Sequence, residues 1–236
     1  MTTEGLQSIR RIEELDDRAR AAWRRIPVVE DEVRRARRPF FVEVAGTPKS
    51  GKTVAATRLA LFLRRNDFVV RVISERASIS PLRQKDQFLF NVWTLCSTLL
   101  EILEAREQAD QIVIIDRGIF DALSWIEWLR SISRVSDADR ARIDDFILVS
   151  AWRDLIDLVF VLSSEPSVAM EREFASQLTR QKGFNHERGY LSQLRAAVQE
   201  TVEKRSTSFA QVVSWTRRLI RLLVQSFPWP QRRWID

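Results

Sequence analysis

Residues 40–53 read Phe40-Phe41-Val42-Glu43-Val44-Ala45-Gly46-Thr47-Pro48-Lys49-Ser50-Gly51-Lys52-Thr53, an apolar β-rich run closing in G-x-x-x-x-G-K-[ST]. That order predicts a strand, a tight turn and the first turn of a helix, the arrangement in which backbone N–H groups wrap phosphate oxygens. Each fixed position has a task. Gly46 lets the strand turn, and Gly51 lets the backbone approach the phosphates closely. Lys52 offers a mobile ammonium to the β- and γ-phosphates, and the Thr53 hydroxyl is placed for Mg²⁺. Thr47, Pro48, Lys49 and Ser50 complete the cradle. A helix-period run (Val54, Leu59, Phe62, Leu63) follows it, as the motif requires.

With 236 residues and 45% hydrophobic content, the chain can bury an α/β core. The expected division is an N-terminal helical extension over 1–38 and one domain over 39–236. A net charge of +6 suits anionic partners, of which a nucleoside triphosphate is one and nucleic acid another. The single cysteine, Cys96, excludes a disulfide framework and a cysteine metal site, which fits a reducing cytoplasm. Its place in an apolar helical run predicts a buried, inert thiol. No signal-peptide core and no uninterrupted run of about twenty apolar residues is read, so no membrane span is expected and a cytoplasmic location is.

Ile12, Leu15, Ala19, Ala22 and Ile26 form the seam of an amphipathic helix over 6–26, suited to packing on the domain or to a homodimer. Arg34, Arg35, Arg37 and Arg38 precede the first strand, as a solvated face or a contact for nucleic-acid phosphates. Asn66-Asp67 predicts a turn, and 68–73 a second strand whose end brings Glu75 and Arg76 towards the phosphate loop if it runs parallel to the first. Ser80-Pro81 reads as a cap opening a helix over 82–106.

Residues 111–116, an apolar run closing in Asp116, read as a buried parallel strand with a Walker-B-type carboxylate that can hold a Mg²⁺-bound water. Arg117 follows, a planar fork for phosphate or acceptor oxygens. A helix over 119–130, a capping box (Ser136 with Asp139) opening a helix to Arg153, and a fourth strand over 157–162 come next. Glu165-Pro166 starts the helix that carries Arg172. The basic, glycine-marked segment 180–190, with Arg180, His186 and Arg188, reads as a lid or a surface turn. Residues 209–215 fit a fifth strand followed by a helix, and Phe227-Pro228-Trp229-Pro230 an extended tail.

These residues resemble the thymidylate kinase and deoxyribonucleoside kinase group over about 39–215. The resemblance lies in the phosphate loop, Glu75, Asp116-Arg117, and 157–166 running into Val168-Ala169-Met170-Glu171-Arg172. It implies a P-loop α/β sandwich, a five-stranded parallel sheet flanked by helices, with a lid over about 172–190. It also implies transfer of the γ-phosphoryl of ATP with Mg²⁺ to a nucleoside or nucleotide. Three departures fall on the acceptor side. Ser74 and Arg76 flank Glu75 in place of the arginine and proline of an arginine-glutamate-proline segment. Gly118 stands where the aspartate-arginine-tyrosine motif has tyrosine, and Ala122-Leu123-Ser124-Trp125-Ile126 replaces a polar run ending in a base-reading glutamine. The implied machinery is Lys52 and the loop amides on ATP, Thr53 and Asp116 on Mg²⁺, Glu75 at the acceptor, and Arg117, Arg172, Arg180 and Arg188 neutralising the transferred group. Two other classes fit the phosphate loop: an ATPase module that controls a partner protein, and a polynucleotide kinase-like protein favoured by the basic arm.

Overall fold

The computed structural model describes residues 38–175 and 188–215 together with Asp17, the side chains of 173–175, 188 and 215 excepted. Outside the described residues lie the expected helix over 6–26, Arg34, Arg35 and Arg37, most of the expected lid with Arg180, His186 and the side chain of Arg188, and everything after 215.

Five strands form one parallel sheet: β1 (Phe40–Gly46), β2 (Val70–Ile73), β3 (Ile112–Asp116), β4 (Ile156–Leu162) and β5 (Val212–Trp215), in the order β2-β3-β1-β4-β5. The helices are α1 (Lys52–Arg65), α2 (Phe88–Arg106), α3 (Ile119–Ser131), α4 (Asp137–Ile147), α5 (Ser150–Arg153), α6 (Pro166–Ala175) and α7 (Arg188–Arg205). Central strands must bury both faces, and Phe41, Val113, Ile114, Ile115, Ile156 and Val159 are fully buried. One core cluster packs α2 and α3 on the sheet through Leu95, Ile102, Ile119, Phe120 and Leu123, and a second packs α1 on the other face through Ala56 and Ala60. The chain lays β2 and β3 on one side of β1, then crosses to build β4 and β5 on the other. The strand order therefore reverses at β1, and the C-terminal end of β1 is where sheets of this kind take their ligands.

Several boundaries differ from expectation for identifiable reasons. The second strand starts at Val70, because the Phe68 N–H still closes the end of α1 on the Leu63 carbonyl at 3.1 Å. The helix expected from Leu82 starts at Phe88. The Asn91 amide donates to the Lys85 and Gln87 carbonyls, at 3.0 and 2.9 Å, and holds 82–87 out of the helix. Ser136 caps Asp139 as read, at 3.1 Å, but the helix breaks after Ile147, where the Trp152 indole and Arg153 guanidinium take up the Phe146 and Leu148 carbonyls.

Cys96 is exposed rather than buried, on the outer face of α2. Among the described residues α2 is also the one helix long and apolar enough to cross a membrane, although its inner face packs on the core. Arg38 grips the Asp157 carboxylate with two nitrogens, at 2.7 and 2.8 Å, at the sheet end opposite the phosphate loop.

Behind α3 a buried ionic brace joins three helices. Glu127 takes Arg130 and Arg140, and Asp144 takes Arg140 and Arg205, with Arg140 at 3.0 and 3.2 Å from the two acids. Such a brace adds little net stability but penalises loss of one partner, because the other charge is left buried. It keeps α3 in place on the sheet, and α3 carries part of the site described next.

Candidate active site

The phosphate loop leaves β1 through Gly46 at φ +124° and enters α1 through Gly51 at φ +97°. A Cβ on Gly46 would lie 1.9 Å from the Leu162 carbonyl oxygen, so β4 permits only glycine there. Between them Lys49 is left-handed at φ +54°, a conformation that non-glycine residues adopt mainly where the surroundings enforce it. Thr47 supplies part of that enforcement. Its N–H donates to the Leu162 carbonyl at 3.0 Å and its hydroxyl accepts from the Ser164 N–H at 3.0 Å, fixing the loop to the end of β4.

Lys52 opens α1 and folds back so that its ammonium donates to the Thr47 carbonyl at 2.5 Å. Burial, helped by the Arg117 charge, pushes the ammonium down to about 7. A polyphosphate in the loop would restore its charge, the condition in which Lys52 binds best.

The Thr53 hydroxyl donates to Asp116 Oδ2 at 2.6 Å, and Asp116 Oδ1 is buried without a hydrogen bond. Burial raises the Asp116 carboxyl above the ordinary carboxylate range, against the Thr53 hydrogen bond and the neighbouring cations. One hydroxyl and one carboxylate with a spare oxygen fit Mg²⁺, which keeps several waters and takes few protein oxygens beside phosphates. Among the described residues no group of three or more His, Cys, Asp or Glu gathers around a metal position, so a cage made of protein alone is not on offer.

Arg117 is the hub. Its backbone is left-handed, φ +68°, which turns the side chain from the end of β3 back across the loop. Its Nε lies 2.9 Å from Glu75 Oε1 and its Nη1 2.9 Å from Asp121 Oδ2, with the guanidinium 5.6 Å from the Trp125 ring centroid. Burial opposes its charge, but Asp121 and Glu75 outweigh burial and hold it firmly protonated. Glu75 therefore comes to the site as expected, because β2 is parallel to β3. Arg76 does not: it points to α2, where it donates to Ser97 at 3.0 Å and pairs with Glu101 at 3.1 Å. Arg172 reaches the loop from α6, donating to the Lys49 carbonyl at 2.8 Å.

Two residues matter that the sequence reading passed over. Asp121 is buried in the first turn of α3, accepts the Gly46 N–H at 2.7 Å and the Trp125 indole at 3.0 Å, and so couples loop, Arg117 and aromatic wall. Glu43 lies fully buried in mid-β1 and accepts the N–H groups of Gly118, Phe120 and Asp121, at 3.0, 3.0 and 2.7 Å, capping α3 from beneath. Burial drives its carboxyl up to about 7 against those three N–H donors. The signal available was an acid inside an otherwise apolar strand, which demands a partner. Beside Arg117, Trp125, Trp128 and Tyr190 form an aromatic cluster, with Tyr190 and Trp128 edge-to-face at 5.0 Å.

No protein-family model and no curated protein matches the sequence. Solved structures do. Deoxyadenosine kinase from M. mycoides, with products dCMP and a flexible dCDP bound, superposes with a TM-score of 0.60 at 14% identity, covering 80% of this chain and 100% of that one. The same enzyme with bound dATP gives 0.58 at 14% identity over 78% and 97%. With bound dCTP it gives 0.55 at 16% over 80% and 100%. The sheet order, the parallel strands and the flanking helices are thus those of a known architecture, and the chain has the P-loop fold of the deoxyadenosine kinases.

Proposed function

We propose that this protein transfers the γ-phosphoryl group of ATP to a hydroxyl of a nucleoside or nucleotide. The observation that carries the reading is the convergence, at one end of the sheet, of the loop with Lys52, the Thr53–Asp116 pair, and Glu75 joined to Arg117. Phosphoryl transfer requires positioning and charge neutralisation more than covalent help, and this set supplies both.

In this mechanism the amides of 46–53 and Lys52 hold the polyphosphate, and Thr53 with Asp116 would hold Mg²⁺, which would supply positive charge beside the phosphates. Glu75 accepts the proton of the acceptor hydroxyl as that oxygen bonds to the γ-phosphorus and the bridging oxygen leaves with ADP. Arg117 balances charge on the transferred group, aided by Arg172. With Arg76 engaged on α2, the acceptor end presents a carboxylate beside a single paired guanidinium, which favours a hydroxyl over an already ionised phosphate as nucleophile. Trp125, its ring centroid 5.6 Å from the Arg117 guanidinium, offers the acceptor base an aromatic face.

Incubation with γ-labelled ATP, Mg²⁺ and a panel of nucleosides, nucleotides and oligonucleotides tests this. A labelled nucleoside or nucleotide is expected, absent with Lys52→Ala. Slow ATP hydrolysis without any labelled acceptor would favour an ATPase module, and label on oligonucleotide ends a polynucleotide kinase.

A further inference from the structure

The phosphate loop is held from one side by α6 and the residues that lead into it. The Thr47 hydroxyl accepts the Ser164 N–H at 3.0 Å, and two residues further along the loop the Lys49 carbonyl accepts from Arg172 at 2.8 Å. Both contacts engage oxygens of the loop, the atoms that an anion does not seek. They also bear on Lys49, whose left-handed backbone, φ +54°, lasts only where its neighbours over-determine it.

The start of α6 is itself fixed from α7. The Glu165 carbonyl closes the first turn of α6 by accepting the Ala169 N–H at 3.0 Å, and the Glu165 carboxylate accepts from Arg195 Nη1 of α7 at 2.5 Å. Arg195 Nε is buried with no hydrogen bond, so the hold of this guanidinium on α6 runs through Nη1 and Glu165. The two helices pack beside the pair through Ala169 and Met170 of α6 and Leu191 and Leu194 of α7. Apolar packing is non-directional, whereas a charge-assisted bond fixes one register between the helices. Five residues before Arg195 the same helix carries Tyr190, which packs on Trp125 and Trp128 beside Arg117. One helix thus reaches both the aromatic cluster and, through Glu165, the phosphate loop.

We infer that Glu165 and Arg195 are a positioning pair for nucleotide binding: by fixing the start of α6 against α7, they hold Thr47 and Lys49 in the loop shape that receives a polyphosphate. The inference rests on the reading of this loop as a nucleotide site. Both residues act through the loop backbone and not on the phosphates themselves, so their loss is felt by any polyphosphate, with or without a base. An ion pair with both partners partly open to solvent contributes little to global stability, so breaking it shows in the loop rather than in the unfolding transition.

The test is calorimetric titration of the full chain with Mg²⁺ and ATP and, as a probe without a base, with inorganic tripolyphosphate, beside thermal unfolding. Glu165→Gln and Arg195→Ala are each expected to weaken both ligands about five- to tenfold, the scale of coupling carried by residues outside a binding site. The double variant Glu165→Gln with Arg195→Ala should weaken them no further than either change alone, because the two residues act as one. The exchange Glu165→Arg with Arg195→Glu should recover most of the loss. Unfolding midpoints without ligand should stay within about 3 °C of the wild type. Wild-type affinity for both ligands in Glu165→Gln overturns the inference and leaves the loop assignment intact, as does a loss of affinity that follows a lowered midpoint. A loss confined to ATP overturns it too, because the effect would then lie at the base. A wild-type chain that binds neither ligand overturns the loop assignment, and the inference with it.

Discussion

Glu43 and Gly118 share one volume: a Cβ on Gly118 would lie 2.4 Å from Glu43 Oε2, so the carboxylate beneath α3 fits only because residue 118 has no side chain. The same contact accounts for glycine at the place where the aspartate-arginine-tyrosine motif that the sequence resembles has tyrosine. In this chain the backbone after Asp116-Arg117 is held by an acid from β1, and the acid requires the space. The reach of that contact is long, because α3 also presents Asp121, which fixes Arg117 and the Gly46 N–H.

Gly118→Ala is therefore expected to destabilise the fold by about 1–3 kcal/mol through overpacking. Combined with Glu43→Ala, the change should cost less than the sum of the two single changes, since each removes the other's constraint. Urea denaturation of the four proteins measures this, and simple additivity would contradict the shared volume.

Glu43 also predicts a pH dependence. Its folded carboxyl sits at about 7 against an ordinary 4.5, so between those values the folded state binds more protons than the unfolded one. Stability from this group is greatest below about pH 4.5 and falls as pH rises towards 7, by up to about 3 kcal/mol for a shift of this size. Glu43→Gln removes that slope. The variant should lose more stability relative to wild type at pH 5 than at pH 8, and an equal loss at both would show that Glu43 stays ionised in the fold.

Asp121→Asn preserves an acceptor for the Gly46 N–H but places an amide against the Arg117 guanidinium. Turnover in the labelled-ATP assay is expected to fall about 10²–10³-fold, the scale associated with a misplaced transition-state donor, while the protein still unfolds cooperatively. Wild-type turnover would remove Arg117 from the mechanism.

Asp116→Asn should leave nucleotide binding in EDTA unchanged and weaken Mg²⁺-dependent binding about 10–100-fold. Titration of ATP with and without Mg²⁺ separates the two. Equal loss under both conditions would mean that Asp116 shapes the loop rather than holding the cation.

Much of this site was readable before any coordinates. The phosphate loop has fixed spacing, and a strand ending in Asp116-Arg117 places both residues at the same sheet end, because parallel strands finish together. What escaped depended on pairings distant in sequence. Glu43 and Gly118 are 75 residues apart, and a carboxylate buried in β1 gains meaning only when three N–H groups converge on it. Asp121 carries no local signal beyond an acid in the first turn of α3, and its bond to the Gly46 N–H spans 75 residues. The start of α2 was misplaced because Ser80-Pro81 is a valid local cap that Asn91 overrides by holding 82–87 away from the helix. Cys96 was assigned inward because α2 is apolar on both sides, and composition alone does not say which side meets the sheet.

The central claim is that the loop from Gly46 to Thr53, closed by Lys52, grips a nucleoside triphosphate. Calorimetric titration with ATP and Mg²⁺ measures it most directly. One site per chain is predicted, with affinity reduced about 100-fold in Lys52→Ala, equivalent to about 2.7 kcal/mol. No binding to the wild type, or equal binding to the variant, would contradict it.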